Sequence, residues 1–111
     1  MIMMPPDVKV FIATAPIDMR KSHDGLAAII QTSFQQDSFS GHLFVFLSKQ
    51  RDRIKIFYWD RNGYCFWYKR LEKGRFHIPR VQGTLFTVSA QELCLLLEGI
   101  DLTHEKRLRP L

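Results

Sequence analysis

Asp18, Asp24 and Asp60 are side chains of the kind that bind Mg²⁺ in enzymes that cleave phosphodiesters. Each also has a simpler role, because Asp18 and Asp24 suit the start of a helix and Asp60 can pair with a neighbouring cation. The four histidines and two cysteines include no close pair such as CxxC or HxxxH that would predict a metal site. The adjacent residues Ser22, His23 and Asp24 are not a catalytic triad, which is assembled from separate segments. We therefore predict no catalytic residues, no metal ion and no cofactor.

Cationic side chains are concentrated in the middle of the chain. Residues 49–80 contain ten of the 16 Lys and Arg residues and three acidic ones, a net charge of +7, whereas each flank carries −1. A basic segment between slightly acidic flanks is typical of surfaces that bind phosphate, although a solvated charged hairpin would explain the charge equally well. The candidate nucleic-acid-binding residues are Lys49, Arg51, Arg53, Lys55, Arg61, Arg70, Lys73 and Arg75.

Aromatic and cationic residues are interleaved in RIKIFYWDRNGYCFWYKR, residues 53–70. Within this stretch the Asn62-Gly63 pair favours a β-hairpin with a two-residue turn. That turn would place Lys55 directly opposite Arg70, and two like charges in that position repel each other. An anion or a nearby carboxylate between them would relieve the repulsion.

The two faces of this hairpin differ in composition. Ile54 and Ile56 lie on a face that is typical of a protein core, whereas the other face carries Phe57, Trp59 and Phe66 among cations. Flat rings beside Lys and Arg can stack on bases and contact the phosphates of a single strand. Alternatively, these three rings pack under a helix as core and the cationic stems extend outwards to solvent.

The remaining pattern predicts an α+β fold, a single compact domain with a mainly antiparallel sheet of four or five strands and two helices. Strands are expected at 8–13, 42–48, 54–60, 64–72 and, as a short fifth one, 84–88. Helices are expected from about residue 22 to 35 and from about 90 to 99, the second starting with a capping box from Ser89 to Glu92. A mobile tail is expected from about residue 103.

The sequence favours a cytoplasmic protein. Its longest apolar runs, residues 43–47 and 93–97, are much shorter than a membrane span. The first residues lack the cationic and apolar regions of a signal peptide. Cys65 and Cys94 are expected to stay reduced rather than to form a disulfide.

Several blocks of the sequence, taken in order, resemble one family. The blocks are DMRKSHDGL (18–26), DSFSGHLFVF (37–46), DRIKIFYWDRNG (52–63), KRLEKGRF (69–76) and LLLEGID (95–101). In order and spacing, from about residue 5 to 101, they resemble the TnpB accessory proteins encoded by the second open reading frame of insertion sequence family 66 elements. The chain departs from the family pattern at His23, usually an aromatic residue, and in FHIP (76–79), where a Trp commonly precedes the proline.

The resemblance implies a small non-catalytic accessory protein for DNA transposition. In such elements a separate, larger protein carries the acidic catalytic triad, so the implied partners are DNA, the transposase and other proteins of the same element. The family supplies no established site residues, and we expect the basic hairpin of residues 49–75 to bind DNA or the transposase–DNA complex. One alternative is a protein-interaction module that holds the transposase without touching nucleic acid, and another is a metal-dependent nuclease.

Overall fold

The fold is built on one mixed sheet, and the structure, a computed structural model, describes residues 7–101 and 109–110. The strands are β1 (Val10–Ala13), β2 (Leu43–Leu47), β3 (Arg53–Asp60), β4 (Gly63–Arg70), β5 (Leu85–Val88) and β6 (Arg109–Pro110). Their order across the sheet is β4-β3-β2-β1-β5-β6. Strands β1 and β2 are parallel and every other neighbouring pair is antiparallel. The predicted α+β class with a mainly antiparallel sheet is confirmed.

In the described part of the chain, two helices lie close to the predicted positions. Helix α1 (His23–Ala28) lies in the crossover from β1 to its parallel neighbour β2, and it continues as a π-helix over Ile29–Ser33. Helix α2 (Ala90–Leu97) follows β5 and starts with the predicted capping box. In this box the Glu92 N–H donates to Ser89 Oγ at 3.0 Å, and the Ser89 N–H donates to Glu92 Oε1 at 2.7 Å.

Both faces of the sheet are covered, which explains why β1 and β2 are buried along their whole length. Alternate residues of β1, β2, β3 and β5 enter separate apolar clusters. One cluster contains Leu26 and Ile30 of the first helical segment and defines the α1 face; its strand members are Phe11, Ala13, Phe44, Phe46, Phe57 and Leu85. The other contains Leu93, Leu96 and Leu97 and defines the α2 face; its strand members are Val10, Ile12, Leu43, Val45, Leu47, Ile54, Ile56, Phe86 and Val88.

Strands β3 and β4 form the predicted hairpin, but the predicted register is wrong by two residues. The turn is formed by residues 61–62, and Lys55 faces Tyr68 rather than Arg70. Side chains alternate with a period of two along a strand, so a shift of two leaves every one on its predicted face. Hydrophobic alternation therefore cannot distinguish the two registers.

Packing on the α1 face explains which register forms. Phe57 pairs with Phe66 at 5.2 Å between ring centroids, and Trp59 pairs with Tyr64 at 4.9 Å. The Tyr64 hydroxyl also lies 2.9 Å from Ser38 Oγ. These contacts hold the hairpin even though the turn gives Arg61 a φ of +55°, which is uncommon for a residue other than glycine.

The chain after β4 is tied to the β2–β3 turn at one end of the sheet. The Leu71 N–H donates to the Asp52 carbonyl at 2.8 Å, and the Phe76 N–H donates to the Arg51 carbonyl at 2.6 Å. The side chains of Phe76 and Ile78 are buried in the α2-face cluster. Residues 71–80 are therefore held against this end of the sheet.

The predicted mobile tail lies mostly outside the described residues. Of the chain from residue 103 onwards, the structure describes the two residues of β6, which pair with Phe86 and Thr87 of β5.

Candidate nucleic-acid interface

Six of the eight predicted cations are brought to the same end of the sheet, which we call the basic end. They come from the β2–β3 turn, the start of β3, the end of β4 and the segment that follows it. These six are Lys49, Arg51, Arg53, Arg70, Lys73 and Arg75. Because the 71–80 segment folds back onto the turn, cations that are more than 20 residues apart in sequence become neighbours in space.

Two carboxylates partly neutralise the basic end. Arg53 and Arg70 face each other across β3 and β4, so the predicted meeting of like charges occurs at this pair instead of at Lys55. Arg53 Nε lies 3.7 Å from Asp52 Oδ1, and Arg70 Nη2 lies 3.6 Å from Glu72 Oε1. Such exposed pairs contribute little stability. Each arginine nevertheless has a carboxylate close by, which reduces the repulsion between the two opposed arginines.

The remaining cations at the basic end have no such neighbour. Among the described residues, no ion pair is formed by Lys49, Arg51, Lys73 or Arg75. Lys49, Lys73 and Arg75 are exposed, whereas Arg51 is half-buried and its Nη1 donates to the Ile78 carbonyl at 3.3 Å. The basic end therefore presents positive charge to solvent that the fold itself does not balance.

Lys55 lies apart from this surface, on the α1 face of β3. Its Nζ donates to the carbonyls of Met19 and Lys21, both at 3.0 Å, and sits 4.7 Å from the centre of the Phe66 ring. Burial lowers the pKa of Lys55, because a charge loses hydration there. This ammonium fastens the loop before α1 to the sheet.

Arg61 lies at the far end of the hairpin. It is one of the two turn residues, and β3 is eight residues long, which corresponds to about 24 Å at the usual rise of a strand. Arg61 is exposed, but the structure does not bring it together with the six residues of the basic end.

The aromatic face of the hairpin is mostly core, as the second of the two sequence interpretations expected. Phe57 is fully buried, and Phe66 and Tyr64 are partly buried against the α1-face cluster. His23, the position at which the family pattern usually has an aromatic residue, stacks on Phe66 at 4.5 Å between centroids. Trp59, the third ring of that interpretation, is half-buried but lies outside this cluster, against the exposed Phe39, and Tyr68 is half exposed.

The residues that could have performed chemistry are separated. Asp18 accepts hydrogen bonds from Arg20 Nε and Nη2 at 3.1 and 2.7 Å, and these bonds, ahead of one from the Arg20 N–H, hold the pKa of Asp18 well below its usual range. Within the described ranges, no three His, Cys, Asp or Glu side chains are grouped so that they could hold a metal ion. Cys65 is half-buried and Cys94 is exposed, and the two are not joined in a disulfide.

No helix in the described part of the chain has the length and apolar character needed to cross a membrane.

Two residues of the basic end were missed by the sequence analysis. His77 and Arg80 are exposed and line the same groove as Arg51 and Arg75. Their segment was read from the sequence as polar and irregular, so only its charge could have indicated them.

Comparisons with known proteins agree with the sequence pattern. Residues 8–107 match the family model described as "IS66 Orf2 like protein". Two proteins of Sinorhizobium fredii are similar: "Uncharacterized protein y4jC" is 36% identical over 100 residues, covering 90% of this chain and 86% of the relative. "Uncharacterized protein y4hO" is 37% identical over 98 residues, covering 88% and 85%. No solved structure matches the chain. Over nearly its whole length, then, the chain belongs to the IS66 Orf2-like family of insertion sequence proteins.

Proposed function

We propose that the protein is a non-catalytic, cytoplasmic accessory factor for transposition that binds DNA, or the transposase–DNA complex, through the basic end of the sheet. Family membership supports the accessory role in an insertion sequence. The observation that carries DNA binding is the meeting of six cations from separate segments, which among the described residues form ion pairs with Asp52 and Glu72 alone.

The chemistry of these side chains suits phosphate. Arginine presents a planar fork of N–H donors that matches two phosphate oxygens, and four of the six cations are arginines. A row of phosphates also carries condensed counterions, which a cationic surface releases on binding. Lys55 and Arg61 are outside the proposed contact surface because of the positions described above.

A salt titration tests this proposal. The anisotropy of a fluorescent mixed-sequence DNA duplex is measured with the purified protein at increasing salt. If the basic end engages about four to six phosphates, a plot of log affinity against log salt should have a slope of about −3 to −5. Binding that does not weaken with salt, or no binding at low salt, would rule out phosphate contact as the basis of the function.

The same purified protein tests the nuclease alternative. Incubation of the DNA with Mg²⁺ should leave it intact, because Asp18 is already engaged by Arg20. Strand cleavage that requires Mg²⁺ and is lost in Asp18→Asn, Asp24→Asn or Asp60→Asn would replace the accessory proposal with a nuclease.

A second candidate function is protein interaction through β4. In the described part of the chain no strand borders the outer edge of β4, and an open edge can accept a strand from another protein. Tyr68 on this strand is half exposed. A pull-down with the element's transposase, with and without its terminal-repeat DNA, separates the two functions. Capture that is independent of DNA, and is lost in Tyr68→Lys, would favour the interaction module.

A further inference from the structure

We infer that the groove between the β2–β3 turn and residues 75–80 is the place at which the protein holds the sugar–phosphate backbone of a nucleic acid. This inference rests on the proposed DNA binding and narrows it to one site. The basic side chains that line the groove are those of Arg51, Arg75 and Arg80, and the imidazole of His77 lies beside them.

The charged side chains that line this groove are arginines, so they are all positive. Phe76, Ile78 and Pro79 complete its lining, so among the described residues three guanidinium groups and one imidazole, but no carboxylate, line the groove. Its volume is about 560 Å³, which lies within the range of roughly 300–1,000 Å³ that is typical of sites for small organic ligands. The groove is therefore large enough for a sugar–phosphate unit rather than only an isolated ion.

The groove is also formed in advance of binding. Buried Phe76 and Ile78 anchor residues 75–80 to the α2-face cluster, while exposed Arg75 and His77 alternate with them. Arg51 fastens the same segment at two points, since its carbonyl accepts from the Phe76 N–H and its Nη1 donates to the Ile78 carbonyl. The backbone that carries Arg75 and Arg80 is therefore in place before an anion binds and loses little freedom on binding.

The backbone of Arg51 supplies an independent observation. Its φ is +60°, a conformation that glycine adopts easily and that other residues rarely adopt. Strained residues of this kind are concentrated at binding and catalytic sites. Glycine would form the turn without strain but could not supply the guanidinium that donates to the Ile78 carbonyl. Arg51 acts as a positioning residue, and Arg75 and Arg80 as the direct phosphate contacts.

The test compares three double variants that each remove two positive charges. Arg75→Gln with Arg80→Gln alters the groove, and Arg53→Gln with Arg70→Gln alters the hairpin part of the basic end. Arg20→Gln with Lys21→Gln is the matched control, because both residues are exposed and lie outside the groove. Binding of a fluorescent oligonucleotide, single-stranded or duplex, is measured against salt for each protein, with thermal melting to check the fold.

The groove variant should bind at least about tenfold more weakly than the wild type at moderate salt. Its log–log salt slope should flatten by about two, because two phosphate contacts are lost. The control should change the affinity by less than about twofold. Because Arg75 and Arg80 are exposed, the groove variant should have the same melting temperature as the wild type.

Three results would overturn the inference. If the groove variant behaves like the control while the hairpin variant loses binding, the groove is not the site but the proposed DNA binding stands. If the wild type binds neither oligonucleotide, or if its binding does not weaken with salt, both proposals fail. If pyrophosphate binds the wild type in a saturable manner and neither oligonucleotide binds, the groove takes a free phosphate compound instead of nucleic acid.

Discussion

At the scale of single residues, the same side-chain type performs different tasks in this protein. Lys55 and Lys49 are both cations of the predicted site, yet the first is bound to two carbonyls and the second is exposed. The difference arises because Lys55 points at the loop before α1, which returns over the sheet. Charge alone therefore does not identify which lysine is available to a ligand.

Replacing Lys55 with Met should lower the free energy of unfolding by roughly 1–2 kcal/mol, because the carbonyls of Met19 and Lys21 lose a charged donor. Urea unfolding measures the change. Lys49→Met is the control and should alter stability by no more than about 0.5 kcal/mol. Lys55→Glu should also destabilise the protein. A gain in stability from Lys55→Glu would support the register in which it pairs with Arg70.

His42 should make stability depend on pH. Its Nδ1 accepts a hydrogen bond from the Lys9 N–H at 3.0 Å, and burial, followed by the charge of Lys9, lowers its pKa despite opposing effects of Asp7 and Asp37. An unfolded histidine titrates at about 6.5, so on acidification the unfolded chain takes up this proton first. The stabilising contribution is complete above that pH and is lost as the pH falls from it through the lower pKa of the folded state.

Asparagine at position 42 offers an acceptor without titrating. Between about pH 7.5 and pH 5, the wild type should lose more free energy of unfolding than His42→Asn, since the other titrating groups are common to both proteins. Chemical denaturation at several pH values measures this difference. Parallel pH profiles for the two proteins would show that His42 does not carry the effect.

At the scale of elements, α2 is a case in which a local sequence pattern, the capping box, predicts the structure correctly. The capping box joins residues only three apart, and both of its hydrogen bonds are present. The hairpin illustrates the opposite case, since its turn dipeptide also gave a local signal, yet the aromatic contacts of β3 and β4 with α1 select another register. A local sequence pattern is a reliable guide where the residues that it brings into contact are also close in sequence.

Ser89→Ala should cost about 1 kcal/mol of stability, because the Glu92 N–H loses its acceptor at the start of the helix. Ser89→Thr, which retains a hydroxyl, should recover most of the loss. Thermal unfolding followed by circular dichroism measures both variants. Equal stability of Ser89→Ala and the wild type would mean that the box contributes nothing to the fold.

At the scale of the whole molecule, the proposed DNA binding depends more on where the cations lie than on the net charge of the chain. The basic end gathers cations from four segments, whereas Arg61 lies at the opposite end of the hairpin. The two acidic flanks of the sequence offset two of the seven net positive charges of residues 49–80, so the total of +5 understates the local field at the basic end.

Lys73→Gln and Arg61→Gln each remove one positive charge and therefore form a matched pair. The first should weaken DNA binding and reduce the log–log salt slope by about one, as expected for one phosphate contact. The second should leave the slope unchanged. Anisotropy titrations at several salt concentrations compare them, and equal effects of the two variants would indicate that overall charge, rather than the basic end, determines affinity.

The elements of the fold could be predicted from the sequence because each depends on short-range rules. Alternation at a period of two predicted which residues of β3 and β4 face the core, and the helical stripe with its capping box predicted α2. The concentration of cations between residues 49 and 80 is likewise visible in the sequence.

Tertiary contacts decided the register of the hairpin and the composition of the basic end. Lys55 could not be excluded from the candidate site by its sequence, because the carbonyls that it contacts lie 34 and 36 residues away. Arg80 could not be included, because it reaches the groove only when Phe76 and Ile78 are buried and the chain folds back onto Arg51. Sequence pattern assigns a residue to a face of its own element, whereas its neighbours on other elements depend on how those elements pack.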